Sequence, residues 1–267
     1  MTNETIKAPD GLDIVVIAEG CDPGAERKGP GVVWLSGLLS DMTATKATAI
    51  ATHGAEKGFP VLRFDYRGHG ASGGDFKDAS ISELLADALT VFDRFAHGPQ
   101  ILVGSSMGGW IALLLALAFK ERGKAGEDLR ADVAGIVLIA PAVDMTRRLM
   151  WDAFTPEIRA EIEETGVYHR PSDYGDAYPI TSKLIEDGEK HLLLGDVIPL
   201  SCPIHIIHGR EDPDVPWELS QELTAWLSDA DVDVTFIRDG DHRLSRPEDI
   251  AVLLAAIDRM RTRVSGG

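Results

Sequence analysis

Apolar residues in this chain follow two patterns that take turns along its length. Short strand-like runs occupy Asp13–Ala18, Gly31–Leu35, Pro60–Tyr66, Gln100–Gly104, Val133–Ala140, Pro203–His208 and Val232–Arg238. Several are continuously apolar, as expected of strands covered on both faces in a parallel sheet. Between them the spacing turns helical. The predicted helices are Thr43–Lys57 with Asp41 as N-cap, Ile81–Ala96 with Ser80 and Glu83 as a capping box, Met107–Arg122, Trp217–Leu227 and Glu248–Arg261. Met107–Arg122 is apolar nearly all round, as a buried helix must be. This alternation predicts an α/β fold, a mostly parallel sheet with helices on both faces.

One segment breaks the alternation. Asp144–Pro199 shows no clear strand, contains four prolines and carries helical stretches such as Pro156–Glu164. The expected organisation is a core from residues 1–143 and 200–267, with a small helical cap or lid at 144–199 over the C-terminal edge of the sheet. Ser265–Gly267 is expected to be a loose tail.

Length and charge narrow the function. A chain of 267 residues suits one large domain with an insertion. Lys and Arg number 26 against 43 Asp and Glu, a net charge of −17, which opposes nucleic acid and anionic lipid as partners. Trp110–Phe119, the longest apolar run, falls short of the roughly 20 residues that span a bilayer. Cys21 and Cys202 make neither a disulfide framework nor a metal motif, and Met1–Gly11 has no apolar signal region. The expectation is a cytoplasmic protein without integral membrane association.

The candidate chemistry begins at Gly104-Ser105-Ser106-Met107-Gly108, a G-x-S-x-G between an apolar strand and the buried helix. A sharp strand-to-helix turn lifts the central side chain clear of the sheet, so Ser106 is the candidate nucleophile. Ser105 lacks the flanking glycines. A serine hydroxyl needs a base, and that base needs an acid to orient it. His242 follows the last strand in Asp239-Gly240-Asp241-His242. Asp212 follows the preceding strand in G-x-x-D-x-x-V-P and is favoured over its neighbours Glu211 and Asp214. All three residues lie where strands end, the edge at which ligands gather in open α/β sheets. The expected oxyanion donors are the N–H of Met107 and that of Leu38, in the turn Ser36-Gly37-Leu38.

The remaining histidines carry less. His205 and His208 are three apart on one strand and face opposite ways, so they cannot share a metal. His69, in Asp65-Tyr66-Arg67-Gly68-His69-Gly70-Ala71-Ser72, is read as shaping a loop. That loop lacks the G-K-[ST] of a phosphate cradle. Trp110, Trp151 and Trp217 are candidates for an acyl pocket or for the core, with the core favoured for Trp110. Arg147, Arg148 and Arg170 are candidates for meeting a substrate carboxylate.

Together, the elbow, the D-Y-R-G-H-G-x-S loop, HG-x-x-D-x-x-V-P and the terminal D-H resemble the α/β-hydrolase superfamily. Four stretches are similar to its domain-containing protein 10 branch: LLSDMTATKA, LVGSSMGGW, CPIHIIHGREDPDVPW and DVDVTFIRDGDHR. That branch holds acyl-glucuronide esterases and palmitoyl-protein thioesterases. The resemblance implies a serine hydrolase of acyl esters or thioesters, on small molecules or acylated proteins, with the triad on Ser106, Asp212 and His242. No cofactor and no metal are expected. The alternatives are a serine peptidase of the same fold and a catalytically inactive binding or scaffold protein.

Overall fold

The computed structural model describes residues 3–21, 29–172 and 175–266. Met1, Thr2 and Gly267, at the ends of the polar N-terminal stretch and the expected tail, lie outside the described residues. The strands are β1 (Asn3–Lys7), β2 (Asp13–Glu19), β3 (Gly31–Leu35), β4 (Val61–Phe64), β5 (Gly98–Ser105), β6 (Ala131–Ile139), β7 (Val167–Ser172), β8 (Gly175–Thr181), β9 (Ile204–Gly209) and β10 (Val232–Ile237). The helices are α1 (Thr45–Lys57), α2 (Ile81–Phe95), α3 (Met107–Lys124), α4 (Pro156–Thr165), α5 (Ser182–Gly188), α6 (Trp217–Trp226) and α7 (Pro247–Ser265). Eight strands form one sheet in the order β1-β2-β4-β3-β5-β6-β9-β10. From β4 to β10 every pairing is parallel, and β1 and β2 add an antiparallel edge.

Alternation along each central strand divides the core in two. Val33, Leu35 and Leu102 point to the side of α2 and α3, and Val32, Trp34, Ile101 and Val103 point to the side of α1 and α7. Both sets are buried, which is why these strands read as continuous apolar runs. Helix α3 is enclosed from Met107 to Ala116, as its all-round apolarity requires.

The differences from expectation are local. β1 exposes four polar residues of its five and buries only Ile6, so an edge strand of this kind has no apolar signature. Asp41 does not cap α1. It folds an Asx turn onto Thr43 N and Oγ1 at 2.7 and 2.6 Å, and the helix begins two residues later than expected. Half of the capping box forms: Ser80 Oγ accepts Glu83 N at 3.4 Å, while the Glu83 carboxylate turns away to Lys183. Ser265, assigned to the tail, is the last residue of α7.

The segment between β6 and β9 is only partly helical. A π-helical turn at Thr146–Trp151, α4, α5 and a 3₁₀ turn at Glu189–His191 accompany a two-stranded antiparallel hairpin, β7 and β8. The prolines and charges of the hairpin hide the period of two that marks a strand. Asp144 closes the base of this segment. It is buried in a left-handed conformation (φ 55°), and its carboxylate accepts Leu193 N and Leu194 N at 2.8 and 2.9 Å. Its backbone oxygen accepts Arg147 N and Arg148 N. A second clasp joins α5 to the start of α2. The Asp187 carboxylate accepts Ser82 N at 2.7 Å and Ser82 Oγ at 2.9 Å, and pairs with Lys190. Burial alone would raise the Asp187 pKa, but the bonds from Lys190 and Ser82 outweigh it and hold the group at about 2.

The loop after β4 is anchored from below. Arg67 sends Nε and Nη2 to the Asp87 carboxylate, which is fully buried, and Nη1 to Asp10 at 2.7 Å. Replacing Arg67 by Ala strands that carboxylate and should cost about 3–5 kcal/mol of unfolding free energy in urea melts. Asp187 provides a pH test. Its folded pKa lies below the usual 3.8, so its contribution is present above about pH 4 and is lost as pH falls toward 2. Thermal melts of Asp187→Asn should show a lower Tm at pH 7 and a smaller further decline between pH 4 and 2 than wild type.

Candidate active site

Ser106 sits where β5 becomes α3, with φ 54° and ψ −121°. A non-glycine residue adopts this geometry at a cost of about 1–3 kcal/mol, and the surrounding packing must impose it. The imposing contacts are visible at the flanking glycines. A Cβ on Gly104 would lie 2.3 Å from the Gly108 carbonyl oxygen, and one on Gly108 would lie 2.0 Å from that of Leu35. The chain crosses itself at van der Waals limits, and only hydrogen atoms fit. The Ser106 backbone is pinned further by Ser106 N to Ile139 O at 2.9 Å and Ala142 N to Ser106 O at 3.1 Å.

The structure brings Ser106, His242 and Asp212 together. Ser106 Oγ lies 3.1 Å from His242 Nε2, and His242 Nδ1 lies 2.8 Å from Asp212 Oδ2. A carboxylate only accepts, so Nδ1 carries the proton and Nε2 is free to accept from Ser106. The carboxylate that meets His242 is that of Asp212 and of neither neighbour: its side chain is fully buried, whereas Glu211 and Asp214 are exposed. Burial would raise the Asp212 pKa. Hydrogen bonds from His208, His242 and Val215 N overcome that and hold it well below the usual carboxylate range.

The loop bearing His242 is braced on three sides. Asp241 Oδ1 accepts Leu244 N at 2.9 Å, and Arg246 bridges Asp239 and Asp249. Lys46, from α1, binds the Arg243 carbonyl oxygen and approaches Ser245 Oγ. Burial lowers the Lys46 pKa to about 8, with the positive charge of Arg243 adding to the effect. Sequence reasoning passed over Lys46, whose partner lies almost two hundred positions away.

The proposed oxyanion donors fall beside Ser106. Met107 is the first residue of α3, where the N–H has no carbonyl within its own helix. Leu38 follows Gly37, at which a Cβ would lie 3.3 Å from the Ser106 Cβ. Leu39 completes that turn with φ 56°. Asp212, Asp214 and His242 each place one donor atom within 4.8 Å of the others, a spacing that could receive a cation. A cation there would compete with the bonds that orient the imidazole.

Other candidate residues separate into distinct roles. Trp110 is fully buried and donates Nε1–H to His191 O at 3.1 Å, so it belongs to the core. Trp217 packs edge-on against Phe236 beneath Arg210, and Trp151 lies beneath Arg159. Arg147 is bound to Glu189, and Arg148 to Glu222. Both charges are satisfied within the chain. Arg170 makes no ion pair among the described residues. It stands opposite Tyr178 across the hairpin, and Tyr178 senses the charges of both Arg170 and Asp214. His69 is buried with Nδ1 on the Arg67 carbonyl oxygen, consistent with a loop-shaping residue.

Residues 32–253 match the profile of the Alpha/beta hydrolase family. The human mitochondrial palmitoyl-protein thioesterase ABHD10 is 35% identical over 240 residues, covering 89% of this chain and 75% of the relative. A putative hydrolase from Agrobacterium vitis S4 superposes with a TM-score of 0.92 at 41% identity, covering 97% of this chain and 98% of the other. Mouse alpha/beta hydrolase domain-containing protein 10 superposes with a TM-score of 0.84 at 30% identity, covering 99% of this chain and all of the other. Among the described residues, no helix is long and apolar enough to cross a membrane. By sequence and by fold, this chain belongs to the alpha/beta hydrolase family.

Proposed function

We propose that this hydrolase cleaves acyl esters and thioesters through an acyl-enzyme formed on Ser106. The observation that carries the reading is the continuous hydrogen-bonded line from Ser106 Oγ through His242 to the buried Asp212. Ser106 Oγ attacks the acyl carbonyl carbon while His242 Nε2 takes its proton. Asp212 holds the imidazole in the Nδ1–H tautomer and stabilises the imidazolium. The N–H groups of Met107 and Leu38 receive the oxyanion. Collapse of the tetrahedral species breaks the bond to the leaving group, which departs as alcohol or thiol with the proton from His242. Water, deprotonated by His242, then attacks the acyl-enzyme, and Ser106 is regenerated with release of the acid. No step in this sequence calls on a cofactor.

Residues 144–199 act in this reading as a lid over the site. The clasps at Asp144 and Asp187 support it: the first ties the two ends of the segment to each other, and the second holds α5 to the start of α2. The thioesterase names of the relatives support acyl-protein or other acyl-thioester substrates. Arg170 supports a further reach toward acidic leaving groups such as glucuronides, a role for which Arg147 and Arg148 are already occupied. Cys21 and Cys202 are both thiols, which supports a reducing compartment and, within that, the cytoplasm, although the animal relatives are mitochondrial by name.

Hydrolysis of p-nitrophenyl esters from acetate to palmitate, together with acyl thioesters, tests the reading. In Ser106→Ala, kcat should fall by on the order of 10⁶ and labelling by a fluorophosphonate probe should vanish. Activity that survives the substitution would move the nucleophile elsewhere, and a wild type that neither turns over nor labels would favour a binding protein. Arg170→Glu should lower kcat/KM for an acyl glucuronide roughly tenfold to a hundredfold, the worth of a charge-assisted hydrogen bond, and leave the matching methyl ester nearly unchanged. Equal losses on the two substrates would remove Arg170 from recognition.

A further inference from the structure

A second histidine touches the acid of the site. His208, the penultimate residue of β9, has the same strand parity as Ile204 and Ile206 and faces the α3 and α6 side of the sheet. Its side chain is fully buried. His208 Nε2 lies 3.1 Å from Asp212 Oδ2 and 3.1 Å from the Val215 carbonyl oxygen. Both of those atoms only accept, so Nε2 must carry the proton. His208 Nδ1 is then an acceptor, and Ser220 Oγ, buried on α6, lies 2.6 Å from it. Ser220 therefore donates, and the tautomer of His208 is settled by partners on both sides of the ring.

This arrangement fills the Asp212 carboxylate. Oδ1 accepts Asp214 N and Val215 N, each at 2.8 Å. Oδ2 accepts His242 at 2.8 Å and His208 at 3.1 Å. A carboxylate in a dry site with one oxygen half-satisfied could rotate, or turn its free lone pair toward His242 and change the strength of that bond. The Nε2–H of His208 removes both freedoms. We infer that His208, oriented by Ser220, is a positioning residue that acts through Asp212 to set the direction and basicity of His242. The inference rests on the roles given to Ser106, His242 and Asp212 above.

The side-chain reach of two amides tests it. Gln at 208 can place an N–H where the imidazole Nε2–H lies, and Asn can reach only the Ser220 side. Both are polar and both can bond within the pocket. His208→Asn should lower kcat by roughly tenfold to a hundredfold, the scale of a small misplacement of a reacting group, with KM little changed. Its acid limb of kcat/KM should move to higher pH, because Asp212 with one donor fewer better stabilises the protonated His242. The charges that face or flank His242, namely Asp212, Asp214, Asp241, Arg243 and Lys46, are common to all variants. His208→Gln should keep kcat within about threefold of wild type and leave the acid limb in place, since it retains the donor. Merely structural damage would lower the amount of active enzyme without moving that limb. Wild-type kinetics in His208→Asn, or equal impairment of both variants, would overturn the inference.

A second readout does not depend on turnover. The low-field proton resonance of His242 Nδ1–H should shift in His208→Asn and hold its place in His208→Gln, with His242→Ala assigning the signal. An unmoved resonance in His208→Asn would overturn the inference even if no substrate were cleaved. Ser106→Ala separates the two questions. Retained activity there defeats the catalytic reading, whereas an inactive Ser106→Ala beside a fully active His208→Asn defeats only the role of His208.

Discussion

The crossing of β5 into α3 is the contact on which the site depends. Gly104 and Gly108 let the strand end, the helix start and the end of β3 approach so closely that only a hydrogen atom fits where a Cβ would stand. That approach forces Ser106 into a left-handed conformation and leaves Met107 N–H at the head of a buried helix. The strain is tolerable because α3 is enclosed for three turns and cannot retreat. Core packing thus supplies the force, and the glycines supply the space. The same closeness brings Gly37 against Ser106, so Ser106 and the turn Ser36-Gly37-Leu38 are set by one steric event.

Electrostatics completes what sterics begins. A chain of net charge −17 places its catalytic candidate on a buried carboxylate, which is unfavourable unless every lone pair finds a donor. Asp212 finds four, from two backbone N–H groups and two histidines. Those bonds outweigh desolvation and keep the group ionised. The same logic recurs at Asp187, where lysine and serine donors hold a low pKa; at Asp87 burial outweighs the bonds from Arg67 and the carboxyl stays raised. Buried carboxylates met by several donors tie the chain together at the loop after β4, at the base of the segment between β6 and β9 and at the site.

Much of the architecture was legible because its signals are local. A strand buried on both faces must be continuously apolar, and an enclosed helix must be apolar all round, so β3, β5, β6 and α3 are readable within a few residues. The edge strand β1 and the hairpin β7–β8 were not legible. Each is held by pairing with a neighbour and buries too little to impose a pattern on its own residues. The arginines that follow β6 show the same limit. Nothing near Arg147 or Arg148 in the chain announces Glu189 or Glu222, 42 and 74 residues away.

The sequence by itself determined the strand-to-helix turn at Ser106 and placed Ser106, Asp212 and His242 each just past a strand end, because short-range sterics and strand ends prescribe such positions. Only the tertiary structure decided which of three neighbouring carboxylates faces the imidazole, and that a strand histidine occupies its remaining lone pair. Hydrogen bonds are directional to within tenths of an ångström, and the groups that make these stand 136 residues apart at Ser106 and His242 and 30 at Asp212 and His242. No local pattern encodes a distance of that kind. It follows from where the sheet delivers the ends of β5, β9 and β10.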